Sequence, residues 1–224
     1  MKVYKYLILV AIVLTCVIGI TACGKEEKKD EKEVKYDYLV LVNKQNKLPD
    51  DWEENVELVD AKDFEGGTIQ VEKEALEQFN KLKDALHEDG VDIVLDSCYR
   101  SVAKQQKLWD EWSADPEKGP EYVKKYVAVP GYSEHHTGLA IDIAIVKNGK
   151  VIYDNDEMIA EKEIFSKIHA KLADYGFILR YLNGREDSTG YTYEPWHLRY
   201  IGDKDIAKEI MDKNITLEEY LEKK

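Results

Sequence analysis

From Leu139 to Val146 the chain alternates. Leu139, Ile141, Ile143 and Ile145 fall on one side, and Ala140, Asp142 and Ala144 on the other. A period of two requires an extended strand whose bulky set faces a core. Asp142 then sits on the opposite face, cleared by small residues. Asn148-Gly149 follows as a two-residue hairpin turn, with Val151 to Tyr153 as the return strand.

The remaining elements arrange themselves around that hairpin. Tyr38 to Val42 is a short β-rich run ended by Asn43 and Pro49. Glu72 to Asp89 reads as a helix, because Ala75, Leu76, Phe79, Leu82 and Leu86 recur at helical spacing before Gly90 stops it. Val91 to Tyr99 is a buried strand, and Ser101 caps a second helix through Trp112. Asp115 to Pro130 is loop-rich, with turn signals at Pro116, Gly119 and Pro120. Ala160 to Tyr175 is a helix stopped by Gly176, and Phe177 to Tyr181 and Leu198 to Ile201 are strands. Two helices finish the chain from Asp203 and Thr216, with Thr216 and Glu219 as a capping box. Strands and helices do not alternate regularly. The expected fold is α+β, a mainly antiparallel sheet with flanking helices.

The two ends of the sequence differ in kind. Lys2 and Lys5 precede an apolar run from Leu7 to Ile20, the layout of a secretory signal peptide over residues 1–22. Small residues before Cys23 resemble a bacterial lipobox, which would leave Cys23 as a lipid-modified N-terminus. The alternative is a plain transmembrane anchor. Residues 23–35 are the lipidated cysteine and a tether of Lys, Glu and Asp, too polar to fold. One domain remains, 36–224, long enough to bury a real core. No internal repeat is visible. Loss of Lys2 and Lys5 with the leader takes the net charge from −13 to −15. That acidity excludes nucleic acid as a partner, because its recognition needs a basic footprint. A monomer is expected, held outside the cytoplasm at the membrane by its lipid. Cys98 would be the one cysteine left after Cys23 is modified, so no intrachain disulfide forms. Its thiol reads as a small buried apolar group in a strand.

Chemistry-bearing residues gather around Asp142. His135 and His136 precede it, and His197 follows fifty-odd residues later. Two imidazoles and a carboxylate form a three-ligand set for zinc and leave a fourth position to water, as catalytic sites do. Adjacent residues in an extended segment point to opposite sides, so one of His135 and His136 should bind. Small Gly138 and Ala140 would let backbone and metal approach closely. Glu194 and His197 are three apart, which in a regular strand puts them on opposite faces. Pro195 argues for an irregularity there. A bend would turn both into one cleft; otherwise Glu194 is an exposed acid. Arg100 ends a strand and opens a helix, with Ser101 and Gln105 on the first turns. Such a place suits a carboxylate, although an ion pair with a surface acid is the alternative. His87 and His169 read as bystanders on helix surfaces.

Ser133-x-His135-x-x-Gly138-x-Ala140-x-Asp142 together with Glu194-Pro-Trp-His197 resembles the VanY-type zinc D-alanyl-D-alanine carboxypeptidases. Tyr99-Arg100-Ser101, Pro130-Gly131-Tyr132-Ser133-Glu134-His135, Thr189-Gly190-Tyr191 and Trp196-His197-Leu198-Arg199-Tyr200 carry the same likeness, from about Val91 to Gly202. The resemblance implies zinc on His135, Asp142 and His197, and Glu194 as catalytic base. It implies that Arg100, Gln105, Ser101 and Ser133 hold the substrate near its C-terminus; Arg100 either binds the terminal carboxylate or acts in catalysis by stabilising the oxyanion, and the sequence does not decide between them. The family also includes L,D-carboxypeptidases and dipeptidases with the same core motif. The expected activity is therefore removal of the terminal D-alanine from peptidoglycan stem peptides, with L,D trimming of tetrapeptide stems as the enzymatic alternative. A non-catalytic lipoprotein that binds wall peptides is the non-enzymatic one. Glu194 speaks against the latter, since binding alone needs no proton shuttle.

Overall fold

The computed structural model describes residues 37–117, 119, 123 and 127–223, all within one compact unit, Val34–Lys224. The leader, Cys23 and the charged tether lie outside the described residues, as does much of the loop expected at 115–130. In chain order the elements are α1 (Trp52–Asn55), β1 (Leu58–Lys62), β2 (Thr68–Glu72), α2 (Lys73–Glu88), β3 (Asp92–Ser97), α3 (Val102–Ser113), a 3₁₀ turn (Glu134–Thr137), β4 (Ala140–Lys147) and β5 (Lys150–Ile152). Then follow α4 (Asn155–Ala160), α5 (Lys162–Lys171), a second 3₁₀ turn (Leu172–Tyr175), β6 (Phe177–Tyr181), α6 (Glu186–Thr189), β7 (Glu194–Tyr200), α7 (Lys204–Lys213) and α8 (Leu217–Leu221).

The main sheet runs β3-β4-β7-β6, with β5 hairpinned onto β4, and every pairing is antiparallel. Asn148 and Gly149 both take positive φ, 54° and 74°, as the hairpin's tight turn demands. The strand alternation holds: Leu139, Ile141, Ile143 and Ile145 are fully buried against Phe79, Leu82 and Leu86 of α2 and Phe165 and Ile168 of α5. Each of these side chains contributes roughly 1.5–3 kcal/mol by leaving water. A smaller cluster joins Ile178 of β6 and Ile201 to Ala207 and Ile210 of α7 and Leu217 and Tyr220 of α8. The capping box at Thr216 and Glu219 is formed, and Ser101 caps α3 by accepting from the Lys104 N–H.

Several expectations are corrected. Tyr38 to Val42 is not a strand, because the carbonyls of Tyr38 and Val40 accept from the buried Arg199 guanidinium instead of a ladder partner. The helix expected over 160–175 is α5 plus a 3₁₀ turn, and the residues just before it form α4. The strand expected from Leu198 begins earlier, at Glu194, and includes Pro195. The β1–β2 hairpin carries no strong sequence pattern and was not expected. Gly138 closes the first 3₁₀ turn at φ +74°, and a Cβ there would lie 2.8 Å from Leu58 Cδ2, so the β1–β2 hairpin packs directly on its backbone.

Candidate active site

Sheet register builds the first half of the site. Asp142 on β4 pairs across the ladder with His197 on β7 and, on its other side, with Ser97 on β3. His135 comes from the 3₁₀ turn just before β4, not from an extended segment. The premise that neighbouring side chains oppose one another therefore fails here, yet one histidine alone reaches the cleft. His136 is fully buried elsewhere: its Nδ1–H donates to the Arg100 carbonyl and its Nε2 accepts from the Gly131 N–H.

Donor atoms of His135, Asp142 and His197 lie within 4.8 Å of one another. Their partners fix the tautomers. His135 Nδ1 lies 2.7 Å from the Cys98 carbonyl, which can only accept, so the proton sits there and Nε2 turns its lone pair inward, 3.2 Å from Asp142 Oδ2. His197 Nε2 lies 3.0 Å from Glu134 Oε2 and donates to it, leaving Nδ1 inward, 2.9 Å from Asp142 Oδ1. Three acceptors thus face one another, and the buried Asp142 Oδ1 has no hydrogen-bond partner. Such a set needs a cation or an extra proton. With protons alone, burial opposes a charge on His197, but Asp142 and Glu134 outweigh it and push its pKa up to about 10. Burial likewise opposes the Asp142 charge, while the two histidines hold it well below the usual carboxylate range. Two imidazole nitrogens and one carboxylate oxygen fit zinc.

Glu134 lies inside the motif that carries the family likeness, yet sequence reasoning assigned it no role. It is buried and accepts from three groups: His197 Nε2, Arg180 Nε at 2.7 Å and Arg199 Nη1 at 2.6 Å. Arg180 continues outward as a two-pronged pair with Glu218, at 2.8 and 2.7 Å. Its signal in the sequence was indirect: arginines set among apolar residues in two core strands require a buried acid.

Glu194 and His197 do share the cleft. The β6–β7 ladder shifts register between the Leu179–Leu198 and Tyr181–Glu194 pairs, so the strand is irregular around Pro195 as its sequence argued. Its carboxylate stands 3.7 Å from His197 Nδ1. Burial, only partly offset by His197, raises its pKa to about 7. His169 is not a surface bystander; it is half-buried, and its Nε2 donates to the Pro195 carbonyl beside Glu194. His87 is exposed and meets Asp92.

Arg100 and Ser133 wall the same cavity of about 420 Å³ as His135, Asp142, Glu194 and His197. Burial disfavours the Arg100 charge, and Asp142, Glu194 and Asp96 favour it. Gln105 lies behind Arg100 and not on the cavity wall. It is fully buried, accepts from Arg100 Nη1 at 3.0 Å and donates to the Ala128 carbonyl at 2.7 Å. Ser101 spends its hydroxyl on the α3 cap. Cys98 is buried just past β3, its thiol pKa pushed above the usual range by burial and the nearby acids.

The family model described as VanY, D-alanyl-D-alanine carboxypeptidase, matches residues 68–203. The bifunctional D-Ala-D-Ala dipeptidase and carboxypeptidase VanXYC of Enterococcus gallinarum is 36% identical over 189 residues, 81% of this chain and 92% of that one. The structure of the LdcB LD-carboxypeptidase superposes with a TM-score of 0.71 at 38% identity, covering 83% of this chain and 86% of that one. A vancomycin-resistance D,D-pentapeptidase VanY variant in complex with Zn(II) superposes with a TM-score of 0.67 at 32% identity, covering 83% and 99%.

Proposed function

This chain belongs to the VanY family of zinc D-alanyl-D-alanine carboxypeptidases, and from that premise we propose that it removes the C-terminal D-alanine from peptidoglycan stem peptides. It is a carboxypeptidase acting on wall peptides; the D,D bond is the finer reading. The observation that carries it is the convergence of donor atoms of His135, Asp142 and His197 on one point, with Glu194 and Arg100 on the walls of the same cavity. His135 Nε2, an Asp142 oxygen and His197 Nδ1 are the proposed zinc ligands. Zinc, when bound there, supplies a Lewis acid that acidifies water and polarises a carbonyl.

Glu194 takes the proton of the attacking water and returns it to the leaving amine. A carboxyl raised to about 7 by burial suits both halves of that exchange. Arg100, braced by Gln105, receives the terminal carboxylate with its planar fork, which makes the enzyme cut one residue from a free end. Gln105 is a positioning residue in this reading, and Ser133 remains a wall group. The sequence features of residues 1–35 support a lipoprotein anchored on the outer side of the membrane through Cys23, within reach of its polymer.

A second reading, L,D-carboxypeptidase action on tetrapeptide stems, is favoured by the higher identity and TM-score of the LdcB likeness. Mass spectrometry of defined tetrapeptide and pentapeptide stems separates the two. Pentapeptide should lose one D-alanine, and its C-terminal amide should be turned over far more slowly. Faster turnover of tetrapeptide selects the L,D reading. Equal cleavage of free-acid and amidated ends removes Arg100 from carboxylate recognition.

A further inference from the structure

Behind His197 the buried charges form a closed set. Glu134 and Glu218 are the acids, Arg180 and Arg199 the bases, and the four balance in charge. Both guanidiniums are fully buried. Arg199 stands two residues from His197 on β7 and is held by the carbonyls of Tyr38 and Val40, each at 2.8 Å. Arg180 on β6 spends Nε on Glu134 and both remaining nitrogens on Glu218 of α8. Glu218 Oε1 also accepts from Asn43 Nδ2 at 3.0 Å. The outer ring of this cluster therefore comes from two segments far apart in sequence, 38–43 and α8, and its inner end is the hydrogen bond that turns His197 Nδ1 into the cleft.

We propose that Arg180 and Glu218 are positioning residues for His197, so that metal loading and docking of the terminal helix α8 favour each other. This rests on the ligand reading given above. If Glu218 loses its charge, the Arg180 fork faces a neutral partner in a buried place. A buried guanidinium that loses one of its two acids is costly, and Arg180 then leans its charge on Glu134 alone, next to the cation's own ligand. Glu134 is then drawn toward Arg180 and away from His197, whose ring loses its fixed orientation. The carboxylate bonded directly to a ligating histidine, as Glu134 is to His197, is typically worth about 10–100-fold in metal affinity, which bounds what Glu218 contributes through it. Linkage makes the effect reciprocal: whatever α8 docking adds to metal binding, metal adds to α8 docking.

The experiment uses the full chain, in detergent where it carries lipid. Zinc affinity is measured by competition with a chromophoric chelator for the wild type, Glu218→Gln and Glu219→Gln. Glu219 is the control: it loses the same charge one residue along the same helix, where its carboxylate meets Arg185 and the Thr216 N–H and not the cluster. Glu218→Gln should weaken zinc binding by about 10-fold, the lower end of that range, while Glu219→Gln stays near wild type. Equal zinc affinity in all three folded proteins overturns the proposal, and so does an equal loss in both variants. Should Glu218→Gln fail to fold, hydrogen exchange on the wild type decides: zinc should slow the α8 amides beyond any change in α2, and no such difference overturns the coupling. A wild-type chain that binds no zinc at all refutes the ligand reading instead.

Discussion

Glu134 lies behind His197 and Glu194 in front of it, and the two acids meet opposite surroundings. Burial alone would raise both. Behind the ring, Arg180 and Arg199 outweigh burial and hold the Glu134 carboxyl well below its usual range. In the cleft, the Glu194 carboxylate makes no hydrogen bond among the described residues, and burial wins. The same side chain is thus fixed as an anion on one side and left able to exchange a proton on the other. Position in the motif says nothing of this division. The neighbours decide it, as they do wherever two acids in one site are driven apart.

The sharpest way to break the contrast is Glu194→Gln. It should keep zinc and stem-peptide binding while losing about 10²–10⁴-fold in turnover, read in single-turnover hydrolysis. Loss of zinc would move Glu194 to the anchoring side. Glu134→Gln should act on stability instead. It leaves two buried guanidiniums short of an anion, at a cost of about 3–5 kcal/mol in urea unfolding. Because the folded carboxyl is depressed, its contribution is present above the ordinary value of 4.5 and is lost as pH falls toward the folded one. An unchanged midpoint at neutral pH would remove Glu134 from the anchoring role.

The smallest effect concerns Glu194 in the metal-stripped chain. Its folded pKa is raised, so the sign reverses. The protein should lose stability as pH rises from 4.5 to about 7, and Glu194→Gln should flatten that slope by roughly 3 kcal/mol. A parallel pH profile in wild type and variant would show that Glu194 is better solvated than its surroundings suggest.

Local chemistry was legible from the sequence where one segment decides it. The α2 periodicity, the Asn148-Gly149 turn, the Ser101 cap and the Thr216–Glu219 box all involve residues a few positions apart, and all are formed. The alternation in β4 placed Asp142 correctly, and the grouping of His135, Asp142 and His197 was visible as a motif. What was hidden depends on distant partners. Tyr38 to Val42 has strand composition, but a guanidinium 159 residues away from Val40 claims its carbonyl. Glu134 reads as one more acid in an acidic chain until Arg180 and Arg199 are brought to it. Gln105 was implied as a substrate contact by the family resemblance, and what no local pattern showed is that it is fully buried and accepts from Arg100.

The opposite tautomers of the two proposed histidine ligands have a consequence for exchange of ligand types. Nδ1 of a histidine stands as many covalent bonds from its Cα as an aspartate's carboxylate oxygen does, and Nε2 stands one bond farther, matching a glutamate. His197 presents the near nitrogen from a strand paired directly with Asp142, and His135 presents the far nitrogen from a turn. The site is therefore lopsided in reach: an aspartate at 197 spans the gap to the ion, while the same residue at 135 falls short.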